Sequence, residues 1–160
     1  MYSEPAAVAF LSSPVGLLRV SADARGVTAI DRISKRGKAR HVGDARARRH
    51  AATAVEQLRE YFAGKRRRFD VPLHLEGTEF QLRAWAEMRR IPYGTTISYA
   101  SQASRLGNPR ATRAVGSANG ANPVPIIVPC HRVIASDGGL GGYSLGLSMK
   151  RALLDLEQRS

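Results

Sequence analysis

Short apolar runs broken by turn residues open the chain. Residues 6–11, 17–20 and 27–30 are mainly apolar, with Ser13, Pro14, Gly16 and Gly26 between them, and this spacing predicts a small antiparallel meander. A different period follows. Asp44 stands where an N-cap belongs, and Ala51, Val55, Leu58 and Phe62 recur at helical spacing until Gly64 halts the run, so one amphipathic helix is expected. Residues 69–73 then read as a further strand.

The second half reads as a series of short helices. Thr78 and Gln81 form a capping box ahead of Phe80, Ala84, Trp85 and Met88, which share one face until Pro92 ends the helix. A second helix is expected from Ser98 to Gly107. Asn108 is expected to cap a third, with Pro109 in its first turn, running through Arg110, Arg113 and Val115 towards Gly120. Two short helices joined by a Gly-Asn-Pro turn make a helix-turn-helix. The expected fold class is therefore α/β (α+β). A small N-terminal antiparallel sheet plus helix forms a supporting domain over 1–76, and an all-helical C-terminal domain with a (winged) helix-turn-helix fills 77–160.

Composition narrows the partners. The chain has 160 residues, 43% of them hydrophobic, enough to bury a core, and a formal net charge of +12 that favours long polyanions, nucleic acid first. Arginine dominates, the lysines being Lys35, Lys38, Lys65 and Lys150, a bias that a GC-rich genome also produces. The basic runs at 32–40 and 65–68 read as solvated loops. No stretch approaches the roughly 20 apolar residues that span a bilayer, so a soluble, cytoplasmic protein without membrane contact is expected. The one cysteine excludes an internal disulfide and argues against a cysteine zinc site. His41, His50 and His74 are scattered, and neither metal nor cofactor is expected.

The candidate chemistry lies in the run PVPIIVPCHRV. Pro123, Pro125 and Pro129 stiffen the approach to Cys130, and Ile126, Ile127 and Val128 should be buried, so the thiol sits on a rigid, partly apolar support. Apolar surroundings raise a thiol pKa, and the thiolate is the nucleophile, so a base is needed. His131 is the adjacent base. Neighbouring side chains in an extended segment point apart, which favours a bridging water, and a carboxylate elsewhere would orient the imidazole. A buried structural cysteine beside a surface histidine is the other reading of this dipeptide. In the third helix, small residues, among them Ala111, Thr112, Ala114, Gly116, Ser117 and Ala118, surround one long cation, Arg113, and suit either close approach to DNA or helix packing.

The run PVPIIVPCHRV, with IPYGTTISYA and RAVGSANGANP before it and GGYSLGLSMKRALLDLE after it, closely resembles the O6-alkylguanine-DNA alkyltransferase family over 77–157. The resemblance implies direct-reversal DNA repair: one alkyl group moves from O6-alkylguanine in duplex DNA to Cys130, which is consumed, with O4-alkylthymine as a second candidate substrate. It implies a relay of His131, a water and Glu157, a bracing role for Asn122, and a hydrogen bond from Tyr99 to guanine N3. Arg113 is similar to the family's arginine finger, which fills the space of the extruded nucleotide. Arg110, Thr112, Ala114, Gly116 and Ser117 would meet the minor groove, Thr112 standing where relatives usually carry a small apolar residue. Val133, Tyr143, Ser144 and Gly146 would form the guanine pocket. The implied protein is a monomer on DNA and needs no cofactor. Two rivals are a non-catalytic lesion binder, against which Cys130 argues, and a cysteine hydrolase, against which the helix-turn-helix and the charge argue.

Overall fold

Turn chemistry sets the N-terminal sheet. The computed structural model describes residues 7–37 and 44–159; Ala6, positions 38–40 of the first basic run and His41 lie outside the described residues. Strands β1 (Ala7–Ser13), β2 (Gly16–Asp23) and β3 (Gly26–Ile33) pair antiparallel in that order, with Leu11 opposite Leu18 and Val20 opposite Ile30. The Asp23 carboxylate accepts from the backbone N–H groups of Arg25 and Gly26 and so closes the β2–β3 turn.

The strand expected over 69–73 is a single bridge between Val27 and Leu73. Val27 N–H donates to Pro72 O and His74 N–H to Val27 O, but Pro72 has no N–H with which to extend a ladder. The close approach depends on Gly26, where φ is +155° and a Cβ would stand 2.6 Å from the Pro72 carbonyl oxygen. Helix α1 (Ala45–Phe62) begins at Asp44, whose side chain accepts from Arg46 N–H. It packs on the sheet through Ala7, Ala22, Ala47 and Ala51, side chains small enough to bring helix and strands close.

The described residues form two compact units that divide between Glu76 and Gly77. In the second, helix α2 (Glu79–Met88) carries the capping box, with both Thr78 and Gln81 side chains engaged. Helix α3 (Tyr99–Arg105) is capped by Ser98, and α4 (Thr112–Gly120) follows after a turn. Ala84, Ala103, Leu106, Val115 and Ala118 form the core between the three helices. Trp85 Nε1 donates to Ala118 O at 2.8 Å, and the buried amides of Gln102 and Asn119 satisfy each other at 3.0 and 2.8 Å.

The third helix starts later than the sequence suggests. Asn108 does not cap it, because its N–H donates to Ala103 O while Gly107 N–H, at a φ of +81°, donates to Ser104 O. These two bonds are the Schellman closure of α3, so Asn108 belongs to the end of one helix rather than the start of the next. Helix α4 begins with Ala111 as its N-cap and no side-chain cap. Helix α5 (Leu147–Arg159) completes the unit. The helical expectation also needs one addition, a parallel pair of two-residue strands, β4 (Ile97–Ser98) and β5 (Val133–Ile134). Among the described residues, no helix is long and apolar enough to cross a membrane.

Candidate active site

The β4–β5 pair brings two distant parts of the chain together. Ile97 pairs with Val133, so the short 3₁₀ turn Cys130–Arg132, which leads into β5, lies beside the start of α3 and Tyr99. The approach to Cys130 is held by Asn122, which accepts from Val124 N–H at 3.0 Å and donates through Nδ2 to Val128 O at 2.8 Å and to Cys130 Sγ at 3.3 Å. Ile126 sits at a φ of +77°, a conformation costly for a β-branched residue, on the order of 1–3 kcal/mol. Its burial and the Val124 O to Val128 N–H bond across the same turn hold it there.

Cys130 is buried, with 6% of its surface exposed. Burial pushes its thiol pKa up, while the Asn122 hydrogen bond, the Lys150 charge and the Tyr143 hydroxyl pull it down. The net displacement is upward, so the resting group is the thiol. Behind it the chain is a 3₁₀ turn rather than the expected extended segment, and His131 points inward with no exposed surface.

His131 Nε2 meets Glu157 Oε2 at 2.6 Å. The same carboxylate accepts from Arg132 Nε at 2.8 Å, Arg132 Nη2 at 3.0 Å and the Gly94 N–H at 3.0 Å. An ionised carboxylate only accepts, so the bond to it places the imidazole proton on Nε2. His131 Nδ1 is buried with no hydrogen-bond partner from the protein. Burial pushes the His131 pKa down; Glu157 opposes that, and the Arg132 and Lys150 charges reinforce it.

Lys150 is the residue that sequence reasoning missed most completely. It is fully buried, and its ammonium donates to Val133 O at 2.7 Å, Gly142 O at 3.0 Å, Leu140 O, and the Tyr99 hydroxyl at 3.4 Å. Burial lowers its pKa to about 8, an effect that Cys130 opposes when it is ionised. Its three carbonyl partners tie the glycine-rich loop to β5. A signal was present: Lys150, Leu153 and Glu157 recur at 3 and 4 residues on the buried stripe of α5, where charged side chains must be paired. Arg132 is also buried, in the short turn after Cys130, and no spacing in the sequence marks it.

A cleft of about 350 Å³ opens over the thiol, lined by Tyr99, Thr112, Arg113, Gly116, Asn119, Gly120, Cys130, Gly142, Tyr143 and Ser144. The Tyr99 hydroxyl donates to Gly142 O at 3.3 Å. Gly141 lies against the same ring: φ is +71°, and a Cβ there would stand 2.7 Å from Tyr99 Cε2. Gly141→Ala is therefore expected to lower the unfolding free energy by about 1–2 kcal/mol from backbone strain alone. A denaturant midpoint equal to the parent's would contradict this contact.

The other expected site residues fall into two groups. Arg113, Thr112 and Gly116 of α4, Tyr99 of α3, and Tyr143 and Ser144 of the loop meet in the cleft with Cys130. Arg110, Ala114 and Ser117 are exposed and Val133 is fully buried, and neither these nor Gly146 line it. Val133 instead donates its N–H to Cys130 O and offers its carbonyl to Lys150. Among the described residues, no group of three or more His, Cys, Asp or Glu side chains could hold a metal ion.

Two family models match this chain. Residues 7–75 match the 6-O-methylguanine DNA methyltransferase, ribonuclease-like domain, and residues 79–159 match the DNA binding domain of the same family. A methylated-DNA–protein-cysteine methyltransferase of Mycolicibacterium paratuberculosis is 46% identical, over 93% of this chain and 90% of its own. One from Methanosarcina acetivorans is 44% identical over 93% of this chain and 96% of its own. The crystal structure of Mycobacterium tuberculosis OGT in complex with DNA is similar with a TM-score of 0.82 and 45% identity, covering 94% of this chain and 91% of that one.

Proposed function

The chain belongs to the O6-alkylguanine-DNA alkyltransferase family, and on that premise we propose that it repairs DNA by moving one alkyl group from O6-alkylguanine in a duplex to Cys130, without turnover. The observation that carries this reading is a buried thiol on the wall of a cleft, backed by a His131–Glu157 pair whose only unbonded imidazole nitrogen is Nδ1. The net charge of +12 supports a nucleic-acid partner, and the similarity to methylated-DNA–protein-cysteine methyltransferases supports alkylated DNA as the substrate class.

A thiol cannot reach the O6 substituent of a stacked base, so the nucleotide must leave the helix, at a cost of a few kcal/mol. The cleft is large enough for one base, within the roughly 300–1,000 Å³ usual for ligand sites. Arg113, exposed on α4 and lining the cleft, fills the space left in the duplex. Small neighbours such as Thr112 and Gly116 let that helix approach the minor groove, where the degenerate edge pattern gives little sequence preference.

In the reaction His131 Nδ1 takes the thiol proton through a water, with Glu157 stabilising the imidazolium. The thiolate attacks the alkyl carbon in line. The S–C bond forms, the C–O6 bond breaks, and its electron pair goes to the guanine, which takes up a proton to become the normal base. Lys150, whose charge favours the thiolate, also orients Tyr99 at the cleft wall. The product thioether has no carbonyl for water to attack, and the chain has no second cysteine to resolve it. O4-alkylthymine presents the same alkyl-oxygen bond and is a further substrate on this mechanism.

Incubating the protein with excess duplex carrying one O6-methylguanine should repair one lesion per protein molecule and then stop; continued turnover would overturn the proposal. Arg113→Ala should slow repair in duplex DNA about tenfold or more, corresponding to roughly 1.4 kcal/mol of lost transition-state support. Its reaction with free O6-benzylguanine should be unchanged, because a free base needs no extrusion. Equal losses on both substrates would contradict the finger role.

A further inference from the structure

We propose that Arg132 is a positioning residue for the proton relay: by binding both oxygens of Glu157, it keeps that carboxylate a pure acceptor and holds His131 neutral with its proton on Nε2, leaving Nδ1 as the base for the thiol. The inference rests on the reading of Cys130 as alkyl acceptor. It assigns a task to a buried cation which that reading leaves idle.

The geometry is specific. Arg132 Nε reaches Glu157 Oε1 at 2.8 Å and Nη2 reaches Oε2 at 3.0 Å, the two-pronged arrangement that a guanidinium fits and an ammonium does not. Its remaining terminal nitrogen, Nη1, donates to Ile91 O at 2.8 Å, and the Tyr93 ring lies 5.6 Å from the guanidinium carbon. The fork is therefore anchored independently of the relay. With His131 Nε2 and Gly94 N–H added, Glu157 accepts from at least four donors, about as many as a carboxylate has lone-pair sites. A proton on Glu157 would have to displace one of them.

The charged groups acting on the imidazole are Glu157 and Lys150 from α5 and Arg132 from its own turn, and the Cys130 thiol is the preceding side chain in that turn. The segment between α2 and β4 contributes the Ile91 carbonyl and the Gly94 N–H, and the Tyr93 ring against Arg132. Without Arg132 the buried carboxylate would keep its bonds to His131 and the Gly94 N–H but lose the cation that binds both its oxygens, and the His131–Glu157 pair would take up a proton at higher pH. It does not matter where that proton settles. On His131 it makes an imidazolium with no free lone pair. On Glu157 it turns the carboxyl into a donor to Nε2 and moves the ring hydrogen to Nδ1. Either state blocks acceptance of the thiol proton. The Arg132 charge is already one of the influences that lower the His131 pKa.

Two measurements test this. In the parent protein at pH 7, imidazole ¹⁵N shifts, assigned with His131→Gln, should show His131 neutral and protonated on Nε2; an imidazolium or an Nδ1–H tautomer would overturn the proposal. Single-turnover transfer from O6-methylguanine duplex should fall at low pH as the relay protonates. Arg132→Met should move the midpoint of that fall up by about one pH unit or more. Arg132→Lys, which keeps the charge but not the fork, should reduce the rate with a much smaller shift. A rate loss at every pH with an unmoved midpoint in folded Arg132→Met would mean that Arg132 is merely structural. If Arg132→Met does not fold, Arg132→Gln, which keeps donors but not the charge, takes its place, with the same upward shift expected and an unmoved midpoint overturning the proposal. If the parent transfers no alkyl group to Cys130, the underlying function fails while the tautomer result still stands or falls by itself.

Discussion

Cys130→Ala will abolish removal of the alkyl group from DNA while leaving the fold and duplex binding intact. The thiol is the only cysteine sulfur in the chain, and among the described residues lining the cleft no other side chain is a comparable nucleophile. The truncation removes one heavy atom from a support that does not depend on it. Asn122 keeps its bonds to Val128 O and Val124 N–H, and the Cys130 backbone N–H still donates to Val128 O at 2.8 Å. A small cavity costs about 1 kcal/mol or less at this size. Arg113 and α4 are untouched, so the affinity for lesion-bearing duplex should stay near the parent's in a gel-shift or anisotropy titration. Residual stoichiometric repair would place the acceptor elsewhere.

Glu157→Gln carries the second large effect, and it acts on rate and stability together. The carboxylate binds His131, both prongs of Arg132 and Gly94 N–H, and its side chain is 1% exposed. A glutamine amide presents one accepting oxygen and a donating NH₂, so one side of that cluster meets donor against donor. It also leaves the Arg132 charge buried without its counterion, an imbalance that costs roughly 3–5 kcal/mol when one partner of a buried pair is removed. The unfolding free energy should fall by that order, and the transfer rate by about a hundredfold or more, the scale on which a general base contributes. Glu157→Asp, which retains the charge, should lie between. A stable Glu157→Gln protein with the parent's rate would remove Glu157 from the relay.

What could be read from the chain alone followed from how local each feature is. The meander, α1 and the Thr78–Gln81 capping box depend on neighbours within a few residues, and the residue pattern carried them. The start of α4 did not come through, because Asn108 is an equally good residue for ending α3, and only the backbone bond to Ala103 O decides between the two. The strand at 69–73 failed at Pro72 for want of one N–H. In the site, Cys130 and His131 are adjacent and announced themselves. Glu157 lies 26 residues from His131 and 63 from Gly94 along the chain, and no local pattern links them. The family resemblance supplied Glu157. Neither it nor the residue pattern supplied Arg132 or Lys150, whose roles emerge only when β4–β5 and α5 bring the loop, the turn and the helix together.

On this mechanism Cys130 itself becomes the alkylated product. Digesting the protein after reaction with a duplex containing O6-methylguanine, and weighing the peptide that carries residue 130, tests it most directly. One added methyl group on Cys130, at one per protein and matched by loss of one methyl from the DNA, is the predicted result. An unmodified Cys130 peptide after the lesion has disappeared, or a methyl group on any other residue, would contradict it.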